Sequence, residues 1–155
     1  MKSRLLLFTF LLTNMYFYAQ NAFTEHLINQ PLSNPVQVQS ADIDGDGDID
    51  FAAISNKGEL TWHEQITSTS FKTHYISMDI KGYSLEISDL DEDSKLDIVV
   101  TYSNNGTGEV SWFRNDGNQN FTEQVLTNSN SASGSNKTIV IDIDHDGDND
   151  ISSSP

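Results

Sequence analysis

Cysteine is absent from all 155 residues, so no disulfide can staple this fold and no lipid can be attached through an N-terminal cysteine. Basic residues are also scarce. Eight Lys and Arg stand against 23 Asp and Glu, a net charge of −15. A field of that sign repels nucleic acid and anionic lipid, and neither is expected as a partner. There is no nucleophile motif and no glycine-rich phosphate cradle, so the residues announce no catalytic constellation. Long apolar runs are missing outside the first twenty positions, and the length leaves room for one domain at most.

The first twenty positions have the layout of an export leader. Lys2 and Arg4 make a basic start, Leu5 to Leu12 an apolar stretch broken only by Thr9, and Ala19 a small-residue cleavage point. A transmembrane anchor needs about 20 apolar residues, and Thr13 and Asn14 end the run too early. We expect residues 1–19 to be a signal peptide, residues 20–155 to be the exported region, and the protein to be secreted or at the cell surface, with no membrane insertion once the signal is removed.

What the chain has in abundance is aspartate at alternate positions. DIDGDGDID at 42–50, DLDEDSKLD at 89–97 and DIDHDGDND at 142–150 fit one template, D-x-D-x-D-(G)-x-x-D. Hard cations such as calcium take about six to eight oxygen ligands, and a loop with a carboxylate at every second position can turn them all inward. Carboxylates crowded this closely repel one another unless something positive neutralises them. The EF-hand is a poor alternative, because it needs a glutamate at loop position 12, where this chain has Ala53, Val100 and Ser153. Cysteine-rich calcium arrays of the thrombospondin kind are excluded by composition.

The loops recur at steps of 47 and 53 residues, and two further markers keep the same order. One is FTEHLI at 23–28, FKTHYI at 71–76 and FTEQVL at 121–126; the other is GELTWHE at 58–64 and GEVSWFR at 108–114. Each unit divides into four short strands. The first has Val36–Ala41, Ile49–Ser55, Glu59–Glu64 and Phe71–Ser77; the second has Tyr83–Ser88, Leu96–Ser103, Gly108–Phe113 and Phe121–Thr127. A third begins at Lys137–Asp144. Leu60 and Trp62 alternate with Thr61 and His63, whereas Phe51 to Ile54 and Ile98 to Val100 are apolar on both faces and should be buried on both. Four antiparallel strands repeating at this interval define an all-β fold of β-propeller blades. Two to three blades fit in this length, and propellers use about four to eight. Either the remaining blades lie in a longer chain, which the repeat arithmetic favours, or short pieces assemble into a ring, or the sheets stack without closing.

These residues resemble the FG-GAP or VCBS-type repeats of integrin α-like propellers and of many secreted bacterial proteins. The resemblance covers about residues 22–151. It implies calcium held by the side chains at loop positions 1, 3, 5 and 9 and by the backbone carbonyl at position 7. Site one is then Asp42, Asp44, Asp46 and Asp50 with the carbonyl of Asp48, and Gly47 at the tight turn. Site two is Asp89, Asp91, Asp93 and Asp97 with the carbonyl of Lys95; site three is Asp142, Asp144, Asp146 and Asp150 with the carbonyl of Asp148. Site two departs from the family at Ser94, where glycine is usual, and is expected to bind most weakly. The resemblance implies a non-catalytic scaffold, adhesion or ligand-binding module facing a protein or glycan. The alternative is the propeller part of a polysaccharide-degrading enzyme whose catalytic residues lie elsewhere.

Other residues attract less specific expectations. His26 and His74 recur at one place in the outer strands and follow from the repeat, not from zinc. His63 and His145 are expected at the surface, and Trp62 and Trp112 are expected to pack between blades instead of stacking on sugar.

Overall fold

The structure is a computed structural model that describes residues 32–127 and 137–154. The expected leader, FTEHLI with His26, and residues 128–136 lie outside the described residues. The described residues form nine strands and no helix: β1 (Pro35–Ala41), β2 (Asp50–Ser55), β3 (Gly58–Thr67), β4 (Ser70–Ser88), β5 (Asp97–Asn104), β6 (Thr107–Asn115), β7 (Phe121–Thr127), β8 (Lys137–Ile141) and β9 (Asp150–Ser154). Strands β1 to β7 lie in sequence order, each antiparallel to the next, and β8 pairs with β9. The fold is all-β, made of propeller-type repeats, and among the described residues the sheets do not close into a barrel.

The turns carry the chemistry that hairpins require. Asn104 pairs with Thr107, leaving Asn105 and Gly106 as a two-residue connection with φ of 50° and 86°. Positive φ at both positions matches the right-handed twist of the strands it joins.

Two sequence-derived strands prove to be one. Phe71–Ser77 and Tyr83–Ser88 belong to the single 19-residue β4, whose first part pairs with β3 and whose last part, from Lys81, pairs with β5. One strand thus ends the first blade and begins the second. Gly82 stands where it changes partners, and the register shifts between Gly82 and Ser84. A Cβ at Gly82 would collide with the side chain of Ile54, which is fully buried in β2. The backbone passes there because glycine leaves the space.

The core lies between the two blades. Ile43, Ala52, Ile54, Leu60, Trp62 and Ile80 of the first meet Leu85, Ile98, Val100, Tyr102 and Phe113 of the second. The doubly apolar strands β2 and β5 are buried almost throughout, as two-faced burial requires. Polar side chains fasten the innermost strands. Gln37 in β1 donates to the carbonyl of Leu85 at 2.8 Å and accepts from the Leu85 N–H at 3.2 Å, while Gln39 accepts from the Ile87 N–H at 3.1 Å. These amides replace the ladder that two non-paired strands lack. The third hairpin joins in the same way, the Thr138 N–H donating to Ser84 Oγ at 3.2 Å.

His63 corrects an expectation. It is not at the surface but 1% exposed, because the polar face of β3 is covered as fully as the apolar one. Its Nε2 pairs with Thr61 Oγ1 and its Nδ1 with Thr73 Oγ1, each at 3.0 Å. Burial, and then the nearby His74, hold the imidazole below its usual range.

Two measurements check this packing. Gly82→Ala should cost about 1–3 kcal/mol by overpacking against Ile54, read from urea denaturation; an unchanged midpoint would show that the two strands are not so close. Below about pH 6.5 the unfolded chain takes up a proton at His63 that the folded chain refuses, so stability falls as pH falls. His63→Gln should flatten that slope, whereas identical pH profiles would contradict a buried neutral His63.

Candidate metal centres in the aspartate loops

Each aspartate loop joins the first two strands of a repeat, and all three fold alike. The first aspartate accepts from the backbone at the turn: Gly47 N–H to Asp42 Oδ2 at 3.0 Å, Ser94 N–H to Asp89 Oδ2 at 2.8 Å, Gly147 N–H to Asp142 Oδ2 at 3.2 Å. The fifth position accepts locally in every loop, as when Asp46 Oδ1 takes the Asp48 N–H at 2.9 Å and Asp146 Oδ1 the Asp148 N–H at 3.0 Å, and the third position does so in the first and third loops. These short side-chain turns bend the chain around its own carboxylates.

The ninth position is a clamp. Asp50, only 1% exposed, accepts the Ile43 N–H at 3.1 Å through one oxygen and the Gln65 N–H at 2.8 Å through the other. Asp97, fully buried, does the same with the N–H groups of Leu90 at 3.2 Å and Asn115 at 2.8 Å. The carboxylate therefore ties the loop to the end of the third strand of its blade. Asn115 carries the tie across blades, its amide donating to the carbonyls of Ile43 at 3.2 Å and Leu96 at 3.1 Å. Neither Gln65 nor Asn115 was singled out from sequence. Their signal was spacing, since each follows the repeat tryptophan by three residues.

The loops bring together Asp42, Asp44 and Asp50; Asp89, Asp91 and Asp97; and Asp142, Asp144 and Asp146. In each group one oxygen per residue lies within 4.8 Å of the others, a spacing compatible with ligands on one hard cation. Asp46 and Asp93 lie outside the first two groups, and Asp150 outside the third, where one of its oxygens takes the Ile143 N–H at 2.9 Å. Asp48, Lys95 and Asp148 occupy the seventh position, each donating its N–H to the fifth-position aspartate.

The first loop fits a cation on two grounds. Asp42 Oδ1 is buried with no hydrogen-bond partner, an arrangement that costs free energy for a carboxylate oxygen. Asp44 has its pKa raised, first by burial and then by the charges of Asp50 and Asp46. The third loop carries the same acids, and the His145 N–H donates to Asp142 Oδ1 at 2.7 Å.

The second loop differs. Asp89 Oδ1 accepts the Asp93 N–H at 3.0 Å, so the oxygen orphaned in loop one is satisfied here. Arg114 Nε donates to Asp91, Arg114 Nη2 to Asp93 at 3.0 Å, and Lys95 Nζ to Asp93 at 2.7 Å. Asp93 is held below the usual carboxylate range, chiefly by its bond from Lys95. Asp97 is pushed up by burial, against the pull of the Asn115 and Leu90 N–H groups.

The fourth loop position has a requirement that sequence reasoning missed. Gly45, Glu92 and His145 have φ of 78°, 59° and 62°, followed two residues later by Gly47, Ser94 and Gly147 at 97°, 68° and 104°. Both positions are left-handed, and the second loop meets them with two residues that carry a Cβ. His145 is exposed there. Elsewhere, Trp62 is 1% exposed, stacks on His74 at 4.3 Å and meets Phe121 of the next blade edge-on at 6.4 Å, which is inter-blade packing. Trp112 is half-buried, and His74 Nε2 pairs with Glu64 at 2.7 Å.

Antiparallel blades joined by a shared strand, each opened by a nine-residue acidic hairpin, define a propeller-type repeat protein with candidate metal loops. Residues 42–100 and 89–152 each match the model of the FG-GAP-like repeat, and each match begins on the first aspartate of a loop. The chain belongs to the FG-GAP-like repeat family. No curated protein and no solved structure matches it.

Replacing Ser94 by glycine relieves a left-handed backbone at the cost of unfolded-state entropy, and should raise stability by up to about 1 kcal/mol. A lower denaturation midpoint for Ser94→Gly would mean that the serine is not strained.

Proposed function

We propose that this chain is a calcium-stiffened, non-catalytic scaffold of a secreted or surface protein, exported by residues 1–19 and offering its blades to a protein or glycan ligand. The observation that carries the proposal is the orphaned Asp42 Oδ1, buried among Asp44 and Asp50 with no donor of its own. Asp42, Asp44, Asp46 and Asp50 with the carbonyl of Asp48 would hold the ion in loop one. Asp142, Asp144, Asp146 and Asp150 with the carbonyl of Asp148 would hold it in loop three. A bound calcium supplies the positive charge that these hairpins lack. The residues do the rest: Asp50 clamps loop to strand, and Ile43, 2% exposed, plugs the loop into the neighbouring blade.

The same repeat geometry favours further blades as partners. Leu85 is fully buried against the first blade, whereas Val38, four residues before its own loop as Leu85 is, remains 58% exposed. At the opposite face Ile143 is 58% exposed where its counterpart Ile43 is buried. Each uncovered face has the shape and polarity that another repeat covers inside the stack.

Extracellular calcium sites bind with constants of about 10⁻⁴ to 10⁻³ M and stabilise only the folded form. At tenfold saturation each site adds about 1.4 kcal/mol. Thermal unfolding in EDTA and in calcium should therefore differ by about 5 °C or more, and Asp42→Asn should shrink the difference. Identical melting curves with and without chelator would defeat the proposal.

A further inference from the structure

The marker that closes the third strand of each blade reads GELTWHE in the first and GEVSWFR in the second, so Glu64 and Arg114 occupy one structural position. In the first blade Glu64 turns to Lys72 and His74. In the second, Arg114 reaches into the aspartate loop and bonds Asp91 and Asp93 with two different nitrogens. The seventh loop position reverses in the same sense, from Asp48 to Lys95, whose ammonium bonds Asp93 at 2.7 Å. Two cationic side chains thus enter the loop at the two places where the first blade has acids.

We infer that the second loop carries its own cation. Arg114 and Lys95 take the electrostatic role that the first and third loops leave to a divalent ion, and the second loop holds its shape without metal. The contrast with the other two loops rests on the calcium reading proposed for them, whereas the role of Arg114 and Lys95 stands on their bonds to Asp91 and Asp93.

Three features agree. Asp93 is turned toward Arg114 and Lys95 and lies outside the oxygen group formed by Asp89, Asp91 and Asp97. Asp89 has backbone donors on both oxygens, as Asp142 has in the third loop, whereas Asp42 keeps one oxygen buried and unpartnered. What sets the second loop apart from both is the pair of cationic side chains. A guanidinium presents a planar fork suited to carboxylates and cannot be titrated away. Any divalent ion entering between Asp89 and Asp91 would face that charge or have to displace it.

The experiment uses the full chain stripped of metal and dialysed to equilibrium against about 5 mM calcium, several-fold above the constants ordinary for such sites. The wild type should bind two ions, Asp42→Asn one, and the double variant Lys95→Asp with Arg114→Glu three. Three ions on the wild type, or no gain in the double variant, would overturn the inference. A second reading is independent of calcium at the other loops: in EDTA, Arg114→Gln should melt about 3 °C below wild type, on the scale by which small domains convert stability to temperature. An unchanged melting temperature in EDTA would also overturn it. Should no variant bind calcium, the scaffold reading fails, and the melting of Arg114→Gln alone decides whether the arginine is the loop's counter-charge.

Discussion

Mutual repulsion among carboxylates is the constraint around which this protein is arranged. Nine-residue hairpins that gather aspartates at alternate positions crowd like charges together, and that crowding disfavours the ionised form of each carboxyl. Asp44 shows it, its pKa raised first by burial and then by the charges of Asp50 and Asp46. The backbone does part of the work, turning N–H groups toward the first and fifth positions of every loop and toward the third position of the first and third loops. These neutral donors bend the loop but carry no full charge, and Asp42 Oδ1 is left without even a donor. The two blades differ in the charge brought to the loop, for Arg114 and Lys95 bond the second loop where the first blade has Glu64 and Asp48.

Neutralisation matters beyond the loop because the loop is a joint. Asp50 and Asp97 are buried carboxylates whose two oxygens bond the start of the hairpin and the end of the third strand. Asn115 then reaches from the second blade to the carbonyl of Ile43 in the first loop, and Ile43 itself sits in the inter-blade core. Loop geometry, blade closure and blade-to-blade contact are one connected set of bonds. The absence of disulfides leaves this set, the inter-blade core and the Gln37 and Gln39 rungs to hold the stack.

Much of this was legible in the residues. The three loops, the doubly buried β2 and β5, and the inter-blade tryptophan Trp62 all follow from patterns of polarity and spacing. What escaped was whatever depends on a neighbour distant in sequence. The union of two strands in β4 turns on Gly82 passing Ile54, a contact that no local pattern marks. His63 seemed destined for solvent by alternation, yet the polar face of β3 is covered by the fold. Glu92 and His145 adopt left-handed backbones at the loop position that Gly45 holds in the first loop, a requirement the repeat geometry sets and the residue types there hide. The candidate site was legible as a set of acids, but not as a set of charges in balance. Arg114 lies 21 residues from Asp93 and changes what the second loop can hold.

The central claim is that every aspartate loop is neutralised, two by a divalent ion and one by arginine and lysine. Anomalous scattering from crystals of the chain grown in calcium tests it most directly. The account predicts peaks among Asp42, Asp44 and Asp50 and among Asp142, Asp144 and Asp146, with Arg114 on Asp91 and Asp93 and no peak beside them. A bare first loop, or a calcium peak between Asp89 and Asp91 with Arg114 turned away, would contradict it.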